Sequence, residues 1–233
     1  MENQTIYLEV RSAAGGDEAK IWASDLARMY SRYAAKKGWK TSQIDEGTTK
    51  ITGPGAFDSL KHESGVHRVQ RIPATERRGR VHTSTATVAA IPQISGTQVQ
   101  INPQDLEWQF YRASSQGGQN VQKVSSAVRL IHKPTGTTVT SQQERFQEQN
   151  RQIALELLQA KLYQRQEEAK KEQIQGYRSA IGTGDRSEKM RTYNFPQNRV
   201  TDHRIKKSWG NLETIVSGDL DKLLKDLSSK LQA

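Results

Sequence analysis

Gly117-Gly118-Gln119 is a stretch whose residue types suggest chemistry carried by the backbone. Two adjacent glycines let the main chain enter conformations closed to other residues and approach a ligand closely. An amide N–H there can face developing oxyanion charge, with the Gln119 side chain shaping the space beside it. By itself the tripeptide reads first as a plain glycine turn. The rest of the chain offers no hydrolase apparatus. Its five histidines, His62, His67, His82, His132 and His203, show no metal-ligand spacing on a helix, and there is no cysteine. Disulfides, thiol nucleophiles and cysteine-ligated metals are thereby excluded. No phosphate loop or dinucleotide fingerprint is present. A reaction promoted by this chain is expected to run through backbone groups and positioning, with neither metal nor cofactor.

A chain of 233 residues fits one or two domains. With 33% hydrophobic and 26% charged residues it is wet for a globular protein, which predicts small, separate cores. The net charge of +10 calls for a polyanionic partner, nucleic acid first. A solvated basic surface is the plain alternative. The N-terminus, MENQTIYLEV, is not a signal peptide, and no apolar run approaches membrane-spanning length. A cytoplasmic protein without a membrane partner is expected.

The elements that must position these residues follow from periodicity. Ile6, Leu8 and Val10 alternate with Tyr7, Glu9 and Arg11, predicting a half-buried strand over 5–11. After a small-residue turn, Asp17 and Glu18 open a helix with a stripe of Trp22, Leu26, Met29, Tyr30 and Tyr33, closed at Gly38. A hairpin over 40–52 turns at Asp45-Glu46-Gly47, and strands are predicted over 66–72 and 81–91, with a further one over 97–101. Asn102-Pro103 marks a boundary. Beyond it, Leu106, Trp108 and Phe110 share one strand face. Strands over 128–131 and 137–140 flank the turn Lys133 to Gly136, and a helix runs over 147–175 with Ile153, Leu157, Leu158 and Leu162 inward. Gly182-Thr183-Gly184 reads as a hinge. RTYNFPQNRVTDHRIKK is dense in cations and aromatics. Two helical pieces split at Gly218-Asp219 close the chain, with Leu220, Leu223, Leu224 and Leu227 inward.

Four segments, in this order, carry a resemblance that runs nearly end to end: EVRSAAGGDEAKIWASDLARMYSRYA, HESGVHRVQRIPATERRGRVHTSTATVA, YRASSQGGQNVQK and GTGDRSEKMRTYNFPQNRVTDHRI. The chain resembles the bacterial class-I peptide chain release factors. By that resemblance Pro73-Ala74-Thr75 matches the tripeptide of the UAA/UAG-reading type; the UGA-reading type carries Ser-Pro-Phe here. The resemblance assigns Thr75 to the first two bases and His82 to stacking between the second and third. It gives Gln70 and Thr83 the third base, and the helix tip with Gly15 and Glu18 the first uracil. It makes Gly117, Gly118 and Gln119 the hydrolytic tripeptide and Gln119 a site of N5-methylation by a glutamine methyltransferase. Such roles suit their chemistry: single-stranded RNA is read by stacking and by hydrogen bonds to base edges.

The resemblance implies an α+β fold. Residues 1–101 would be the decoding domain, 102–176 a small sheet-and-helix domain carrying the tripeptide, 177–185 a hinge or switch linker, and 186–233 a C-terminal part packing with the first domain. The small domain is expected to swing out on the ribosome. The implied function is translation termination: recognition of UAA and UAG in the ribosomal A site and release of the nascent chain. The implied partners are 16S and 23S rRNA, the stop codon and peptidyl-tRNA, and the implied state is a monomer. Hydrolysis would occur within the peptidyl-transferase centre rather than at a free-standing enzyme site. A ribosome-rescue factor and a non-catalytic RNA-binding paralogue are the alternatives. The chain starts where the family's second domain begins, so the N-terminal helical domain is expected to be missing. The hairpin at 40–52 is shorter than usual. SQGGQNVQK stands where GAGGQHVNK is typical, and SAAGGDE where AGTGGDE is.

Overall fold

Alternating residues make the first strand, β1 (Asn3–Ser12), and its core face is Ile6, Leu8 and Val10, each at most 5% exposed. The computed structural model describes residues 3–73, 76, 78–94, 101–112, 125–179 and 181–231. After β1 comes α1 (Asp17–Lys36), opened by Asp17 and Glu18, where carboxylates oppose the positive end of the helix dipole. Its stripe of Trp22, Leu26, Met29, Tyr30 and Tyr33 is buried as its spacing predicts. Each such side chain contributes roughly 1.5–3 kcal/mol on burial. Gly38, at φ +70°, follows the helix, and the Trp39 N–H donates back to Ala34 O over 2.9 Å. The hairpin β2 (Lys40–Asp45) and β3 (Thr48–Pro54) leads to the short α2 (Ala56–Leu60), then to β4 (Gly65–Arg71) and β5 (His82–Pro92).

Further along lie β6 (Leu106–Tyr111), β7 (Ala127–His132), β8 (Thr137–Ser141) and α3 (Gln147–Ser179). The chain ends with β9 (Lys189–Asn194), β10 (Arg199–Asp202), β11 (Lys207–Gly210), α4 (Leu212–Val216) and α5 (Asp221–Leu231). The strand at 97–101 expected from sequence falls mostly outside the described residues; Ile101 itself is not in a strand. Among the described residues no helix is long and apolar enough to cross a membrane.

Two units result: Met1–Ile94 with Gln173–Ala233, and Ser95–Glu172. The first is built on an eight-stranded sheet ordered β11-β10-β9-β4-β5-β1-β3-β2. All neighbours in it are antiparallel except β4 and β9. The core joins the α1 stripe to β1, β4 and β5, and to Leu223, Leu224 and Leu227 of α5. The second is a three-stranded sheet, β6-β7-β8, whose Val128, Leu130 and Val139 pack with Ala154, Leu158 and Leu162 of α3. The α+β class implied above is the class observed.

Several local readings are corrected. On α3 the buried stripe is Asn150, Ala154, Leu158 and Leu162, while Leu157 is 43% exposed. A three-stranded sheet covers only a narrow i, i+4 face, and Leu157 is one position off it. Asn150 joins that stripe because it is fully satisfied. Its Nδ2 donates to Ser126 O and Glu144 O, and its Oδ1 accepts from Ser141 Oγ and Glu144 N. Phe110 is 44% exposed at the end of the face it shares with Leu106 and Trp108. Glu9, read as facing outward, is buried, because Arg178 of α3 donates to both its oxygens over 2.5 and 3.2 Å. The cation-rich segment after residue 188 forms three strands.

Candidate functional site

β4 and β5 pair so that Gln70 faces Thr83 and Arg71 faces His82 at the loop end of the pair. The chain between them carries Pro73, Ala74 and Thr75; Pro73 is buried, and Ala74 and Thr75 lie outside the described residues. Glu76 organises this connection. Its N–H donates to Pro73 O over 3.0 Å, and its Oε1 accepts from the Arg78 N–H over 2.7 Å. Its Oε2 lies 2.6 Å from His82 Nε2 and 3.4 Å from an Arg80 guanidinium nitrogen. The Arg78 amide first, and then His82 and Arg80, hold the Glu76 carboxyl below the ordinary carboxylate range. It is therefore a carboxylate at neutral pH, and the imidazole donates to it from Nε2. The His82 side chain keeps 42% of its surface exposed, enough to offer a face for stacking. Ile72 and Val81, at the two stems, are 53% and 52% exposed.

The tip of α1 is laced to β5. Thr85 N donates to Ala14 O over 2.8 Å, Ala13 N to Thr85 O over 2.9 Å, and Ala14 N to Thr85 Oγ1 over 3.0 Å. Gly15 sits at φ +138°, and a Cβ there would lie 2.4 Å from Ser84 Oγ. Only glycine fits both the conformation and the space. Gly16 has no side chain to cap the helix, so the opening amides of α1 are donors of the kind that suit a carbonyl.

Glu18 is the surprise of this region. Its side chain is 4% exposed, and Oε1 accepts from Arg71 Nε over 2.6 Å. Arg71 also donates to Asp25 Oδ2 over 2.7 Å and lies over the rings of Trp22 and Phe195. Desolvation lowers the Arg71 pKa, but the bonds to Glu18 and Asp25 outweigh it and raise it. Among the described residues nothing donates to Glu18 Oε2. Sequence reasoning missed Arg71 and Asp25. Arg71 is legible only once β4 is paired beside α1.

On the other face of the sheet, Gln70 is the register partner of Thr83 in β5 and of Asn194 in β9. Asn194 Nδ2 donates to Gln70 Oε1 over 3.2 Å. Asn194 too was missed: it lies 124 positions from Gln70 in sequence. Thus Gly15, Glu18, Gln70, Pro73, His82 and Thr83 belong to neighbouring parts of one sheet and one helix tip.

In the second unit, Gly117, Gly118 and Gln119 lie outside the described residues. Their chain segment joins β6 to β7, whose last register pair is Tyr111 with Ala127. The β7 stem is held by α3, since Gln147 Nε2 donates to Ser125 O and Asn150 Nδ2 to Ser126 O. Among the described residues no group of three His, Asp or Glu side chains could hold a metal ion.

Comparison with known proteins defines the class. The PCRF domain family matches residues 1–88 and the RF-1 domain family residues 93–204. The chain is 52% identical to peptide chain release factor 1 of Thermotoga maritima, over 94% of its own length and 68% of that protein. It is 49% identical to peptide chain release factor 1 of Caldicellulosiruptor bescii, over 99% of its length and 68% of the relative. Among solved structures it is similar to RF2 of Thermus thermophilus. That match has a TM-score of 0.56 and 34% identity, and covers 98% of this chain and 69% of the other. The chain belongs to the peptide chain release factor family.

Proposed function

We propose that this protein terminates translation by reading UAA and UAG on the ribosome and promoting hydrolysis of peptidyl-tRNA. The observation that supports it most is its 52% identity to a release factor 1, joined to a strand pair that sets Gln70 against Thr83 and Arg71 against His82. In this reading the α1 tip with Gly15 and Glu18 meets the first uracil. The tip's contribution comes through helix amides, since the Glu18 carboxylate is committed to Arg71. Thr75, in the segment Pro73-Ala74-Thr75, meets the first two bases. His82 stacks between the second and third, and Gln70 and Thr83 read the third. Gly117, Gly118 and Gln119 enter the peptidyl-transferase centre, where a backbone N–H stabilises the oxyanion. The protein acts in the cytoplasm as a monomer against 16S and 23S rRNA. Gln119 is the substrate of a glutamine N5-methyltransferase, which the intact mass of native protein tests.

The deciding experiment is release from ribosome complexes programmed with UAA, UAG, UGA or a sense codon. Release on UAA and UAG alone is expected. Thr75→Ala and His82→Ala should lower that release without impairing codon-independent hydrolysis forced by organic solvent. Equal loss in both assays would make those residues structural.

A further inference from the structure

β11 is an end strand of the eight-stranded sheet and pairs on one side with β10. Among the described residues no backbone hydrogen bond from outside the sheet reaches Lys207–Gly210. An end strand carries a row of N–H and C=O groups with which a further strand can pair. All four residues of β11 also line a groove of about 400 Å³, together with Thr214 and Ile215 of α4 and Lys222 and Leu223 of α5. The floor is apolar: Trp209, Ile215 and Leu223 are at most 6% exposed. A Cβ on Gly210 would meet nothing within 4 Å, so the far end of the strand opens on free space. The rim is cationic. Lys206 precedes the strand, Lys222 lines the groove and Lys225 stands one turn along α5; all three are exposed. Among the described residues none of the three is in an ion pair, because the nearby carboxylates are committed elsewhere. Asp219 pairs with Lys36, Asp221 with Lys37 and Asp226 with Lys207.

We propose that β11 and its groove are a docking site for an acidic protein segment in extended conformation, which adds to the sheet as a strand beside β11 and sets its carboxylates against Lys206, Lys222 and Lys225. The inference is independent of the codon-reading assignment. Each part of the site selects for one property of the partner. The unpaired edge selects extended backbone, since an added strand satisfies its amides and carbonyls along the whole of β11. The floor takes the apolar side chains of one face of that strand, which alternate with those turned to solvent. The lysines select carboxylates at its ends. They also disfavour a second copy of this chain: pairing β11 with β11 would bring the same cations together, and like charges across a strand pair repel. A nucleic acid strand would meet the lysines but has no backbone donors and acceptors spaced to pair with β11.

A synthetic peptide tests it on the full chain. Its centre alternates valine and threonine over a length matching β11, and a pair of glutamates flanks each end. Titrated into the protein, it should half-saturate at roughly 10–100 μM, in keeping with a short edge and a partly apolar groove. The same peptide with lysines for glutamates should bind at least about tenfold more weakly, as should the acidic peptide to Lys222→Glu. Lys222 is exposed and unpaired, so the variant should keep the thermal midpoint of the unaltered protein. Two further arms need no variant. N-methylating the valine amides or the threonine amides blocks one edge or the other of the added strand. One of the two should abolish binding and the other spare it, because only one edge faces β11. Amide exchange within Lys207–Gly210 should slow when the acidic peptide is bound. Equal effects of the two methylations, or binding without slower exchange in β11, overturn strand addition. An oligouridylate of equal charge that binds as tightly and displaces the peptide makes the groove a general polyanion surface and overturns the proposal. So does failure of the acidic peptide to bind at about 1 mM.

Discussion

Glu76 Oε2 and His82 Nε2 lie 2.6 Å apart, so the ring proposed to stack on the codon is held by a carboxylate that also closes its own loop. Glu76→Ala frees the ring and removes the Arg78 amide's acceptor. The pair is partly solvated, so the loss is modest. Half-maximal release on UAA is expected to need up to roughly fivefold more factor, an effect that shrinks as salt is added. Release titrations at two ionic strengths measure it.

Gly15 and Gly16 adjoin in sequence but differ in environment. Gly15 has φ +138° and Ser84 Oγ at 2.4 Å from any Cβ; Gly16 has φ +62° and nothing within 4 Å of one. Gly15→Ala must displace the turn that carries the α1 tip, and release on both stop codons should fall severely. Gly16→Ala meets backbone strain alone, of order 1–2 kcal/mol, and should be the milder variant. Release assays and thermal denaturation of the two proteins side by side test the contrast.

Within the tripeptide the backbone is expected to matter more than the side chain. Gln119→Ala should slow release yet keep substantial activity. Gln119→Pro removes the N–H, and loss of one oxyanion donor typically costs roughly 10²–10³ in rate. Gly118→Ala should resemble the proline variant. Equal, mild effects in single-turnover release from all three would exclude an oxyanion role for that amide.

Acid should weaken the first unit before its carboxylates titrate. Burial, and then the nearby Arg191 guanidinium, hold His67 at a pKa of about 4. Its Nε2 donates to Glu63 O over 3.0 Å, leaving Nδ1 to accept from the Tyr193 hydroxyl over 3.2 Å. An unfolded histidine titrates near 6.5, so between about 6.5 and 4 the unfolded chain binds the proton and the folded one does not. Stability is therefore complete above that window and falls as pH drops through it, by up to about 3 kcal/mol. His67→Gln should flatten the slope of urea midpoint against pH across the same interval.

Elements with one buried face were legible in the sequence. The α1 stripe and the inward residues of β1 appear as their periodicity predicts, because each lies on one face turned to the core; Glu9, on the other face of β1, is covered by Arg178. β9 was not legible for the opposite reason. Met190, Arg191, Thr192 and Tyr193 are all buried, so no period of two survives. Its arginine is hidden because Glu63 and Asp202, both buried, accept its N–H hydrogen bonds, with Glu63 at 2.6 and 2.7 Å. Of the candidate site, the sequence supplied Gln70 and His82 but neither Asn194 nor Arg71. Their partners are set by strand pairing across long separations, which leaves no local trace. Glu76 sat inside a quoted segment, and its several hydrogen bonds emerge only when the loop closes.

The parallel pairing of β4 with β9 also has a cost in time. Residues bonded across it, such as Gln70 and Asn194, are 124 positions apart. At about 5–20 residues per second, a nascent chain that has made β4 waits roughly 6–25 s for β9 to emerge. Throughout that wait β4 is the rim of an unfinished sheet, with its N–H and C=O groups open to any strand that meets them. The intervening unit has its own core and can fold meanwhile. A fragment ending before Lys189 would keep that rim permanently, and should associate with itself or engage chaperones rather than remain dispersed.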